Sequence, residues 1–170
     1  MKNKKKIDKL NIFIISFLYF SLIAGFIFDE NLNYGAIMDW VGTNRPVIKS
    51  FANDFTNTLL DYEKFGHRHS PIYLIFLSSL YKIGFSLDIV RLIHLNLSLL
   101  LIYYFFKCLT LKFDNVDRNI LILLSVSIFL SPTFRSLSIW PDTRIIGLTF
   151  LSISIFEFLK FKKNKKILHF

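Results

Sequence analysis

The chain has 170 residues, of which 53% are hydrophobic and 20 are Phe, and its formal net charge is +9. That composition is too apolar for an ordinary soluble domain, and the length leaves room for one membrane module spanning residues 1–170. A single cysteine, Cys108, excludes an internal disulfide, and the excess bases flank apolar runs, which points to anionic lipid headgroups and excludes a nucleic-acid partner.

The basic residues are sorted. Lys2, Lys4, Lys5, Lys6 and Lys9, then Lys107, Lys112 and Arg118, then Lys160, Lys162, Lys163, Lys165 and Lys166 hold 13 of the 21 Lys and Arg. Against the four acids beside them (Asp8, Asp114, Asp117, Glu157), they account for the whole net charge. The other eight bases and eight acids cancel and lie mostly between Asp29 and Arg91 and around Asp142. The positive-inside rule puts the first set in the cytoplasm and the second outside it.

Along the chain, Leu10 to Phe28 is an uncharged run of 19 residues, enough to cross a bilayer core of about 30 Å. It is long for a signal-peptide core, and bulky apolar residues follow Ala24-Gly25, so it reads as an uncleaved anchor. Next, Pro46 suits a first helical turn. Val47, Phe51, Phe55, Leu59 and Tyr62 recur at near-helical spacing opposite Lys49, Asn53, Asn57 and Asp61, which predicts an amphipathic helix on the membrane surface ended by Gly66. The run Pro71 to Leu87 begins at a proline and contains Ser78, Ser79 and Lys82, so it reads as an interfacial or re-entrant helix.

Runs at Ile89 to Cys108, Asn119 to Phe134 and Ile145 to Phe161 follow. Between the last two, a second outer segment from Arg135 to Arg144 carries Trp140 at interfacial depth and breaks at Pro141. His94 and Asn96, polar groups inside a span, predict a packed face. The expected fold is all-α, a polytopic membrane helical bundle of four transmembrane helices (10–28, 89–108, 119–134, 145–161) with juxtamembrane helices on its outer face. Its outer loops are 29–88 and 135–144, and both termini are cytoplasmic in an integral inner-membrane protein.

Chemistry belongs on the outer side. Asp29 and Glu30 follow the first run directly, and Asp39 lies nine residues beyond Glu30. A carboxylate at a membrane mouth either tolerates the interface and caps the next element, or serves as a general base whose pKa a low dielectric raises. Arg68, His69, Arg91, Arg135 and Arg144 form a rim of cations, with Asp142 between the last two. Arginine grips phosphate through paired hydrogen bonds, so a lipid phosphate is a natural ligand; snorkelling to headgroups equally explains Arg91 and Arg144. His67 and His69, two apart on a loop, are a weak metal signal, and no metal or other cofactor is expected.

In these residues the chain resembles the GT-C superfamily of membrane glycosyltransferases, in the branch of the protein O-mannosyltransferases and the lipid A aminoarabinose transferase. The likeness covers what corresponds to the N-terminal portion of such an enzyme. It rests on Asp29-Glu30 after the first span, on Arg68-His69-Ser70-Pro71-Ile72-Tyr73 opening a surface helix, on Arg91 opening a span, and on Leu130-Ser131-Pro132 leading to a loop with Asp142. The resemblance implies a sugar donor on a polyprenyl phosphate and transfer to an acceptor at the outer face. Asp29 or Glu30 would be the base, with Asp39 as the alternative and Asp142 orienting it, and Arg68, Arg91 or Arg135 would stabilise the departing phosphate. The rival expectation is a small non-catalytic membrane protein, a transporter subunit or lipid-binding scaffold, in which the same charges only fix orientation.

Overall fold

The structure, a computed structural model, describes residues 8–32, 34–66 and 69–168. His67, Arg68 and the lysines before Asp8 lie outside the described residues. Among those described, the chain is all-helical. α1 (Lys9–Ile27) starts at Asp8, whose carboxylate accepts from the Leu10 N–H at 3.3 Å. Three short pieces follow: α2 (Tyr34–Asp39), a π-turn over Trp40–Asn44, and α3 (Arg45–Asn53). α4 (Phe55–Leu60), a 3-10 turn over Tyr62–Phe65 and α5 (Ile72–Lys82) complete the connection to α6 (Leu87–Lys112). α7 (Arg118–Val126) passes through a 3-10 turn into α8 (Pro132–Ile139), and α9 (Thr143–Leu168) closes the described chain.

The expected surface helix from Pro46 to Tyr62 is broken. Asp54 leaves helical geometry, and its carboxylate accepts from the Asn57 N–H at 3.1 Å, restarting the chain as α4. Val47, Ile48 and Phe51 are buried as their spacing requires, but Phe55 and Leu59, beyond the break, are exposed. Gly66 ends this stretch with φ +64, a left-handed residue that suits glycine. α5 has 11 residues, too few for a bilayer core.

The run 119–134 is not a straight helix. Ser131 caps a new helix by accepting from the Phe134 N–H, Pro132 occupies its first turn, and α7 and α8 meet at a bend of 70°. The segment expected as an outer loop at 135–144 is therefore mostly helix, and Trp140, expected at the interface, is buried. By length and composition two helices, α1 and α6, could cross a membrane, or three if the bent pair counts as one crossing. α9 has 26 residues, but Glu157 and Lys160 interrupt its apolar stretch, so four crossings do not follow from the helices themselves.

α6 and α9 share the most extensive seam and run parallel. Asp142, at the start of α9, lies near the upper part of α6, Tyr104 meets Phe156 lower down, and Asp114 meets Lys163 at the far end. α1 and α7 also start together, since the Asn11 Nδ2 donates to the Asn119 Oδ1 at 2.9 Å and the Asp8 N–H reaches the same oxygen at 3.3 Å. One end of the molecule thus collects Lys112, Asp114, Arg118 and Lys163. The other collects Asp29, Glu30, Asp39, Arg91, Arg135, Asp142 and Arg144.

Candidate functional site

Two acid–arginine clusters form at that second end. The first is closed. After α1 the chain reverses sharply: Asp29 takes φ +51, and the Glu30 N–H returns to the Gly25 carbonyl at 2.7 Å. This turn aims Glu30 at Arg135, whose Nε donates to Oε1 at 2.6 Å while Nη2 donates to Oε2, a bidentate pair. Arg135 also donates to the Ser21 carbonyl at 3.1 Å, and the Trp140 indole N–H donates to the Glu30 carbonyl at 3.0 Å. Gly25 sits beneath the pair with no space for a side chain, as a Cβ there would lie 2.5 Å from Glu30 Oε2.

Arg91 belongs to the same cluster. Its guanidinium lies 3.9 Å over the Trp140 ring and 5.0 Å from the Phe26 ring centre, donates to Asp29 at 2.7 Å and to Asp88 at 3.3 Å, and is buried. Three backbone segments distant in sequence are clamped here by two arginines.

The second cluster is open. Asp142 starts α9 as a cap, accepting the Arg144 N–H at 2.7 Å, and the Arg144 side chain folds back onto both of its oxygens at 2.8 and 2.6 Å. The same guanidinium reaches Asp39 at 2.8 Å. Burial pushes the Asp142 carboxyl up, but the hydrogen bonds and charge of Arg144 together outweigh it and hold the group below the usual carboxylate range. Asp39 and Asp142 line a cavity of about 250 Å³ with Thr43, Asn44, His69 and Thr143. Asn44, buried on the π-turn, donates to the Pro141 carbonyl at 2.8 Å and ties the cavity wall to the start of α9.

A second groove, about 420 Å³ in volume, adjoins this cavity and shares His69 and Thr143 with it. It descends between α5 and α9 past Ile72, Tyr73, Ile146, Gly147 and Phe150, with Arg144 at its head. Behind it, the fully buried His94 donates from Nε2 to the Leu137 carbonyl at 2.8 Å, which leaves Nδ1 to accept from the Tyr73 hydroxyl. This relay pins α5 to α6. His94 lies on a packed face as expected; Asn96 instead is exposed and hydrogen-bonds the Tyr19 hydroxyl.

The sequence-expected residues therefore divide. Asp39, His69 and Asp142 meet at the open cavity; Glu30, Arg91 and Arg135 meet in the closed clamp, with Asp29 exposed at its edge; Arg68 is outside the described residues. Arg144, assigned only to the cationic rim by the sequence, stands between cavity and groove, half exposed. Its spacing from Asp142 across a helix start was the available signal. Among the described residues no group of three or more His, Cys, Asp or Glu could hold a metal. No family model, no curated protein and no solved structure matches the chain.

Proposed function

We propose that this chain is a membrane glycosyltransferase, or the N-terminal portion of one, that takes a sugar from a polyprenyl-phosphate donor at the outer face of the cytoplasmic membrane. In this reading α1, α6, the bent α7–α8 pair and α9 make four crossings, with both termini cytoplasmic. The sorted charges support that topology, because the Lys-rich end and the acid–arginine end of the molecule are opposite ends of the same helices.

One observation carries the chemistry: a polar, carboxylate-lined cavity continues into an apolar groove with a half-exposed arginine at the junction. That sequence of surfaces matches a sugar, a phosphate and a prenyl chain in order. Asp39 is the base. It takes the proton of an acceptor hydroxyl, whose oxygen bonds to the anomeric carbon as the bond from that carbon to the phosphate oxygen breaks. The phosphate leaves with both electrons, stabilised by Arg144 with His69 beside it. Arg144 has a donor to spare, since Nη1 makes none of its bonds to Asp39 and Asp142 among the described residues. Asp142 fixes the guanidinium. Asp29, Glu30, Arg91 and Arg135 hold the frame, a role that fits their mutual pairing better than proton transfer does.

The test is Asp39→Asn in the protein as the cell expresses it, with transfer from a radiolabelled polyprenyl-phosphate sugar as the readout. A loss of about 10²- to 10⁴-fold is expected, with unfolding behaviour unchanged. Undiminished transfer removes Asp39 from the mechanism. A non-catalytic lipid-binding scaffold is the second reading, favoured by one observation: Asp29, Glu30, Asp39 and Asp142 are each already paired with an arginine. It expects lipid binding without any sugar transfer.

A further inference from the structure

A third surface lies at the opposite end of the helices, away from both clusters. Ile15 and Tyr19 of α1, Leu99, Ile102, Tyr103 and Phe106 of α6, and Ile122 to Phe129 of the α7 limb enclose a groove of about 400 Å³. The hydroxyl of Tyr19 donates to Asn96 at 3.2 Å and closes it toward the outer end. Arg118 stands at its other mouth, exposed, with the guanidinium 5.7 Å from the Phe106 ring centre. Arg91, Arg135 and Arg144 all pair with acids, whereas no carboxylate pairs with Arg118 among the described residues.

Length sets the occupant. From Arg118 to Phe129 the helical rise is about 16 Å, close to half of a hydrocarbon core of about 30 Å. The groove is therefore one leaflet deep, apolar along its walls and cationic where that leaflet's headgroups lie. We infer that this groove is a binding site for one anionic phospholipid of the cytoplasmic leaflet, with an acyl chain between α1, α6 and α7 and the phosphate on Arg118. Arginine binds a phosphate diester through two parallel N–H donors, and the Phe106 ring holds the guanidinium at the mouth. The inference rests on the sidedness of the proposed topology but not on the transfer reaction.

Native mass spectrometry of the full chain in mild detergent, with dioleoyl phosphatidylglycerol or dioleoyl phosphatidylcholine added, tests it. Retention of the anionic lipid about tenfold above the zwitterionic one is expected. Arg118→Gln should remove that preference and Arg118→Lys keep part of it, both at a surface position that leaves helix content intact. Leu99→Trp, which fills the groove, should reduce retention of both lipids. Arg45→Gln, at an exposed position on α3 at the other end, should change nothing. Equal retention of the two lipids, indifference to Arg118→Gln, loss of the adduct in Arg45→Gln, or a lipid-free dimer closing the groove would each overturn the assignment. Loss of sugar transfer in Asp39→Asn has no bearing on it.

Discussion

The two acid–arginine clusters at one end of the molecule use the same chemical groups for opposite purposes. In the clamp, the Arg91 and Arg135 side chains are 8% and 12% exposed, and the carboxylate of Glu30 is gripped bidentately over a glycine. In the cavity, Arg144 and Asp39 are about half exposed and face open volume. A buried charge pair has its donors and acceptors consumed by one another and by backbone, so it can order a chain but not greet a substrate. An exposed pair is worth little to the fold and is free to exchange partners. Residue type therefore says less than burial about which arginine is free to meet a ligand.

The sharpest way to break this distinction is to remove one carboxylate from each cluster. Glu30→Ala strands Arg135 in a mostly buried site with no counter-charge, and a loss of about 3–5 kcal/mol is expected, a large fraction of a typical domain's stability. Asp39→Asn should cost less than about 1 kcal/mol, because Arg144 keeps Asp142 and water screens the pair. Thermal unfolding in mild detergent, followed by fluorescence-detected size exclusion, compares them. Equal midpoints for the two variants would show that the clamp is no more structural than the cavity. The double variant Glu30→Leu with Arg135→Met should recover most of the loss, since removing both charges leaves neither unpaired.

Much of this architecture was legible in the residues. The uncharged run after Lys9 and the long apolar run before Lys112 give α1 and α6 within a few residues, because length and hydropathy alone decide a membrane-length helix. The proline and serines of 71–87 gave a short helix for the same reason. The bend between α7 and α8 was harder. Leu130-Ser131-Pro132 stands out as a motif, but that Ser131 caps a new helix depends on where α8 packs, which hydropathy does not encode. The amphipathic stripe through Phe55 and Leu59 misled because periodicity is blind to a competing cap, and Asp54 supplies one. At the candidate site, the sequence groups the acids at one end of the molecule without separating them into two clusters: that Glu30 faces Arg135, 105 positions away, is a tertiary fact. Arg144 does not stand out in the sequence for a related reason, since snorkelling and ligand binding call for the same residue at the same depth.

Glycines sharpen the contrast at a smaller scale. Gly25 lies directly under the clamp, where a Cβ would stand 2.5 Å from Glu30 Oε2 and 3.1 Å from both Glu30 Cδ and Arg135 Nη2. Because the glutamate is held by two hydrogen bonds it cannot swing aside cheaply, and Gly25→Ala should cost about 1–3 kcal/mol. Gly147, on α9 beside the groove, has open space around its Cβ position, and alanine there should be neutral or stabilising by up to about 1 kcal/mol through helix propensity. The same unfolding assay reads both. A Gly25→Ala midpoint matching that of Gly147→Ala would mean the clamp is looser than its geometry implies.

The smallest expected effect comes from acid, and it isolates the open cluster. Asp142 is held below its ordinary value of 3.8, so the folded protein binds that proton more weakly than the unfolded chain does. Its contribution is thus complete above the ordinary value and is lost as the pH falls below it, through the depressed one. Unfolding midpoints of wild type and Asp142→Asn should run parallel from pH 7 down to about 5 and converge below about 4 as the wild-type carboxylate is neutralised. Asparagine can still accept the Arg144 N–H, so the helix start is preserved and only the charge is tested. Salt should shrink the gap above pH 5, because Arg144 is half exposed and its attraction for Asp142 is partly screened. A gap that widens in acid would mean that Asp142 is held protonated, which would leave Arg144 committed to Asp39 and count against the part proposed for it in holding a phosphate.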